Sequence, residues 1–272
     1  MKKFSKIKAI AKVDIKKNLT QIIALTEKNV KLNLRFKVNF IISLLTPIIT
    51  IAMPLIIMNR FFPEIELIVY QFIAYKIFLM RGIITEFPVQ LRFEKYWKTL
   101  PILMVGPFHR LNLLFGIFLS RILLILIPFS VLFIITFIQA PILITTVIFI
   151  IAIYFLIAII FSGIGLIFGI FAVSRENFLQ PLLFAFNILF WLSCLTYPYE
   201  IFPSFVQNFI NLNPLYYIFD FLRFLWLENN VIITISTHFY HFSFLISLAI
   251  IIPLLGVYIF NIIYKKYGIV GY

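Results

Sequence analysis

Long apolar runs parted by short polar stretches organise this chain. They fall roughly at 38–59, 67–86, 111–138, 142–172, 178–197 and 242–264. About 20 consecutive apolar residues cross a bilayer as a helix, so each run is long enough to span. None alternates with the period of two that a barrel strand needs. The third and fourth runs are parted only by Gln139-Ala140-Pro141, a tight turn. The pattern predicts an all-α polytopic membrane protein with six transmembrane helices. An even number of crossings puts both termini on one side.

Two stretches outside the runs also carry helical periodicity. Before the first run, Phe4, Ile7, Ile10 and Ala11 recur among lysines, the pattern of an amphipathic helix lying on a leaflet. A disordered basic tail is the simpler alternative. Thr26 followed by Glu27 reads as an N-cap, and the pairs Val30/Leu34 and Leu32/Phe36 then give a second amphipathic helix leading into the first span. Before the last run, Phe205, Phe209 and Ile210 share a face of a short helix stopped by Asn213-Pro214. Leu215, Ile218, Phe219, Leu222 and Leu225 share a face of the next, with Asp220 and Arg223 beside one another. Neither is long enough to span, which predicts a re-entrant pair over about 198–230. The organisation is therefore an N-terminal basic interfacial region, 1–37, and a six-span domain, 38–272, with a polar loop at about 88–110.

Composition fixes the solvent and charge the orientation. Of 272 residues, 63% are apolar and 12% charged, against about 45–50% and 25% in soluble domains. That excludes a soluble protein. The net charge of +13 does not indicate nucleic acid, because eleven of the 23 basic residues lie in the first 37 positions. Basic flanks stay on the cytoplasmic side. With the termini inside, inner segments hold 19 of the 23 basic residues, and outer ones only Arg60 and Arg223, against Glu64, Glu66, Glu200, Asp220 and Glu228. The first long run starts near Val38 without a small-residue cleavage site, so no signal peptide is expected.

Motifs for intrinsic chemistry are missing. None of the nine glycines precedes a lysine, so there is no G-x-x-x-x-G-K phosphate loop. His238 and His241 are spaced i, i+3 but have no carboxylate or cysteine beside them in sequence, and read as headgroup-level anchors rather than metal ligands. The single cysteine, Cys194, reads as a packing residue. Gly165 and Gly169 form a G-x-x-x-G stripe for close helix approach, within the bundle or between subunits. Lys76 lies mid-span, followed by Arg81 and Glu86. It is either a cavity-lining cation or a structural charge that snorkels or pairs with a carboxylate. Arg121 reads as an interface anchor.

Three stretches together resemble the permease subunits of ATP-binding-cassette (ABC) transporters of the type-2 exporter class. RFEKYWKTLPILMVGPFHRLNLLFG carries Glu94-Lys95, Thr99-Leu100, Pro107 and Gly116 in the family's order, with Lys95 where arginine is usual and Lys98 where glycine is usual. SCLTYPYEIFPSFVQNFINLNPLYYIFDFLRFLWL carries Pro198, Pro203, Asn213-Pro214 and Arg223. ALTEKNVKLNLRFKVNFIISLLTPI matches an interfacial helix, basic corner and first span through Arg35, Lys37 and Pro47. The resemblance implies a cell-membrane exporter of an amphipathic or lipid-linked substrate, working as a permease homodimer or heterodimer. It also implies a separate ATPase subunit that holds ATP and Mg, with no cofactor on this chain. Glu94, Lys95, Thr99 and Leu100 would then couple to the ATPase. Pro198, Pro203, Asn213, Pro214 and Arg223 would form an outer re-entrant gate. The alternative is a stand-alone secondary transporter or channel with Lys76 and Glu86 in its ion path.

The charge asymmetry makes a direct prediction. Cysteines placed near Lys6 and Tyr267 are expected to resist membrane-impermeant reagents in intact cells, and one near Glu200 to react. Labelling of the Lys6 or Tyr267 positions from outside would contradict the orientation.

Overall fold

A chain in hydrocarbon must satisfy its backbone polar groups within itself, and the helix does so inside one segment. The computed structural model describes residues 2–38, 40–42, 45–46, 49, 65–97, 110–174, 176–195 and 199–267, and every regular element among them is helical. We label the principal helices α1 (Lys2–Arg35), α2 (Ile65–Tyr96), α3 (Arg110–Gln139), α4 (Ile144–Ser174), α5 (Leu179–Trp191), α6 (Ser204–Asn211), α7 (Pro214–Glu228), α8 (Val231–Thr237) and α9 (Phe239–Tyr267). Among the described residues, three stretches are long and apolar enough to cross a membrane: Leu111–Gln139, Ile144–Ser174 and Phe239–Ile263. They reproduce the third, fourth and sixth expected runs. The first expected run lies largely outside the described residues.

Two expected boundaries disappear. Thr26 does not start a helix; it lies within α1, where its hydroxyl donates to the Ile22 carbonyl at 2.8 Å. The first 35 positions thus hold one helix rather than two or a tail. Nor does the second span give way to a loop at about 88, because α2 runs through Pro88 for 32 residues. Proline removes the bond to the carbonyl four residues back. That carbonyl, of Ile84, faces Gly165, where an added Cβ would sit 3.0 Å from it.

The fifth run is shorter than expected. In place of a span over 178–197, α5 has 13 residues, about 20 Å of helix, against a hydrocarbon core of about 30 Å. It begins after a 3-10 turn, Glu176–Phe178, and ends before Cys194, which adopts φ 53°. A non-glycine residue seldom takes that left-handed conformation, so the chain turns there.

α4 is the centre. It is apolar on all sides, as a helix packed on several faces should be, with α2 on one face and α9 on another. Glycines set both contacts. A Cβ at Gly163 would lie 2.8 Å from the backbone of Pro253 in α9, and one at Gly256 2.8 Å from the Gly163 carbonyl oxygen. Gly165 and Gly169 face α2, at Phe87 and Leu91, so the G-x-x-x-G stripe packs inside this chain. α1 lies along α3: Asn112 donates to Asn18 Oδ1 at 2.9 Å and Gln21 Oε1 at 2.7 Å. Gly116 leaves room for Leu25, whose Cβ would stand 2.7 Å from an added Cβ.

Because Gly163 meets rigid backbone while Gly169 meets the flexible end of Leu91, Gly163→Ala is expected to destabilise the fold by about 1–3 kcal/mol and Gly169→Ala by clearly less. Unfolding in mixed micelles measures both. Equal losses would contradict the close crossing of α4 and α9.

Candidate functional site

The polar groups of α2 define the sites, because each reaches a different helix. At its end, Glu94 is 3% exposed and pairs with Lys28 of α1. Lys95 Nζ donates to the Val173 carbonyl at 3.0 Å, near the end of α4, where helix carbonyls lack intrahelical partners. The sequence placed both in the polar loop at about 88–110. Glu94 is instead turned into the protein and Lys95 hooks α4. The exposed side of this end carries Arg92, Phe93, Tyr96 and Trp97, with Phe93 and Trp97 stacked at 5.5 Å. Thr99 and Leu100 lie outside the described residues.

Two turns earlier, Glu86 is enclosed by three donors. Gln90 Nε2 lies 2.8 Å from Oε1, Asn33 Nδ2 of α1 lies 3.3 Å from it, and Arg121 Nη1 of α3 lies 3.5 Å from Oε2. Arg121 is therefore an ion-pair partner rather than a free anchor. Gly82 makes room for it: an added Cβ would fall 2.9 Å from Arg121 Nε and clash with the guanidinium. These groups floor a cavity between α1, α2 and α3, with Phe36, Phe93 and Trp97 among its walls.

Lys76 is fully buried and has neither of its expected structural partners. No carboxylate pairs with it among the described residues, and it does not snorkel. Its ammonium lies 4.4 Å from the ring centre of Trp226 in α7, 4.9 Å from Phe133 in α3 and 5.7 Å from Tyr154 in α4. It also donates to Thr136 Oγ1 at 3.2 Å. Aromatic faces attract cations most strongly when water is excluded, so this cage replaces hydration with rings from three helices. Arg81 bonds Asn187 of α5 and sits 5.2 Å from the Phe190 ring. Lys76 and Glu86 thus have separate partners among the described residues.

The two short helices expected after the fifth run form where their local signals place them. Pro203 precedes α6 in an extended conformation. Asn213 caps α7, accepting from the Leu215 amide at 3.0 Å, with Pro214 as the first helical residue. The expected face of α7 is buried throughout. Arg223, 1% exposed, donates to the carbonyls of Cys194 and Leu195, the latter at 2.9 Å, and so holds the turn after α5. It also pairs with Asp220 at 3.6 Å and covers the Tyr70 ring at 4.3 Å. Pro198 lies outside the described residues. His238 and His241, which lack acidic neighbours in sequence, meet α7 carboxylates in space: Glu228 at 3.0 Å and Asp220 at 3.7 Å. No group of three possible metal ligands occurs among the described residues.

This is a helical membrane protein whose buried charges are held by neighbouring helices. The ABC-2 type transporter family model matches residues 20–227, and the chain belongs to that family. Comparison with curated proteins gives no match.

Sequence reasoning missed Lys28, Asn33, Gly82, Gln90, Asn187 and Trp226. A local signal existed for two of them, since Gly82, Glu86 and Gln90 recur every fourth residue on one helix face. The others come from distant helices and leave no local pattern.

The Lys76 cage predicts non-additivity. Trp226→Leu alone leaves a buried cation poorly held, whereas with Lys76→Met no cation remains. Their coupling in a double-mutant cycle is expected to be about 1–3 kcal/mol, read from unfolding in mixed micelles. Additive losses would contradict the cage.

Proposed function

We propose that this chain is the membrane subunit of an ABC exporter and moves an amphipathic or lipid-linked substrate outward. ATP and Mg are held by a separate ATPase subunit, and two permeases work together. The chain crosses the cell membrane six times with both termini cytoplasmic, the fifth crossing made by the short α5 together with the turn that follows it. The ATPase engages the segment containing Glu94, Lys95, Thr99 and Leu100. Pro198, Pro203, Asn213, Pro214 and Arg223 form the outer gate.

The observation that carries this reading is the continuity of α2. One 32-residue helix joins the aromatic end at Phe93–Trp97 to the Lys76 cage. Trp226 of the cage and Arg223 of the gate belong to the same helix, α7. A push at one end of α2 therefore reaches the re-entrant region through packed rigid elements. Lys28–Glu94 and Lys95–Val173 tie the pushed end to α1 and α4, so these helices move with it. Glu94 acts as a joint of the coupling unit rather than as the contact itself. Lys76 braces the path and does not line it.

In the complex, Glu94→Lys sets two cations face to face and is expected to weaken the α1–α2 joint by roughly 1–3 kcal/mol, allowing for the exposure of Lys28. Co-purified ATPase and substrate-stimulated hydrolysis should both fall. The exchange Lys28→Glu/Glu94→Lys should restore them, and Glu27→Lys, on an exposed part of α1, should leave both unchanged. Full activity of the single Glu94 variant would remove this joint from coupling.

A further inference from the structure

The cavity between α1, α2 and α3 has the makings of a binding site that transport itself does not require. It has ≈ 1020 Å³ of empty space and opens to the surroundings. Its floor is polar, with Glu86, Gln90, Asn33 and Arg121, while Phe36, Phe40, Phe93 and Trp97 line its sides. Apolar walls around a few convergent polar groups are the common form of a small-molecule site. Glu86 is satisfied by its three donors, whereas Arg121 gives it only a 3.5 Å contact through Nη1 and lines the cavity. A guanidinium carries five donors, and an anionic oxygen is their best complement. The lining residues are also flanked in sequence by exposed cations, Arg35 and Lys37 beside Phe36 and Arg92 beside Phe93. Phosphate fits those charges, and an acyl chain fits the aromatic walls.

We propose that this cavity holds a membrane phospholipid with an anionic phosphodiester headgroup, seated at Arg121 with its chain along Phe36 and Trp97. The lipid braces α1 against α2 beside the coupling end. A free phosphate ion shares the headgroup chemistry but leaves the aromatic walls bare. The proposal rests on the orientation proposed above only in assigning the lipid to the inner leaflet.

Trp97, on the cavity wall, is a built-in reporter. The full chain is placed in phosphatidylcholine nanodiscs containing an equal small fraction of either brominated phosphatidylglycerol or brominated phosphatidylcholine. Subtracting the signal of Trp97→Phe isolates its fluorescence. Bromine quenching of Trp97 is expected to be severalfold stronger with phosphatidylglycerol. The preference should vanish in Glu86→Gln/Arg121→Gln, which removes both floor charges together and leaves neither ion unpaired. Surface lysines and arginines attract anionic lipid without any cavity, so a preference that persists in this folded double variant would overturn the proposal. Equal quenching by the two lipids in the unaltered chain would overturn it as well, and needs no variant. Relief of quenching by inorganic phosphate, beyond that by chloride of equal ionic strength, would assign the floor to a free anion and overturn the lipid. Both nanodisc leaflets carry the probe, so a wrong orientation cannot produce a negative result.

Discussion

Lipid offers no partner to a polar side chain, and that constraint organises the molecule. α2 carries five ionisable groups between Lys76 and Lys95 that are answered from other helices: Lys76 by α3, α4 and α7, Arg81 by α5, Glu86 by α1 and α3, Glu94 by α1, and Lys95 by α4. Placing a charge at mid-membrane costs a few kcal/mol even on the mildest scales. The contacts of Lys76 and Arg81 offset such a cost, and all five fix where a neighbouring helix sits. α2 is thereby the axis of the fold, although α4 is its most apolar element.

Apolar packing supplies proximity and glycine sets the distance. Without a hydrophobic force between helices in lipid, close backbone approach is what holds them together. Gly163 and Gly256 bring α4 onto α9, Gly165 and Gly169 bring it onto α2, and Gly116 lets α1 settle on α3. Gly82 has a different use, giving Arg121 the space to reach Glu86. The same small residue thus serves packing at three helix contacts and charge placement at one.

What was legible in the sequence is what is decided locally. The Asn213-Pro214 break is readable because the cap and the first helical residue adjoin, and the α7 face because its period lies within one helix. Arg223 and Asp220 could be paired from their i, i+3 spacing. Other features depended on distant residues. The polar stretch from about 88 reads as a loop, yet α2 continues through Pro88, packed at that level against Gly165. Thr26 reads as a cap, yet its hydroxyl is satisfied one turn back, as threonine permits within helices. The run at 178–197 is apolar enough to span, but Arg223 holds the turn that ends α5 early. Glu94 reads as an exposed acid because Lys28 is 66 residues away.

The proposed function requires that α1 and the end of α2 move as one body when an ATPase subunit acts on them. Spin labels at Leu19 and Tyr96, both exposed, report this by pulsed dipolar spectroscopy in the assembled complex, with the free thiol Cys194 buried and out of reach. The α1–α2 distance is predicted to be the same in nucleotide-free and nucleotide-trapped complexes. A change approaching one helical turn, about 5.4 Å, would show α1 sliding past α2 and would contradict the account.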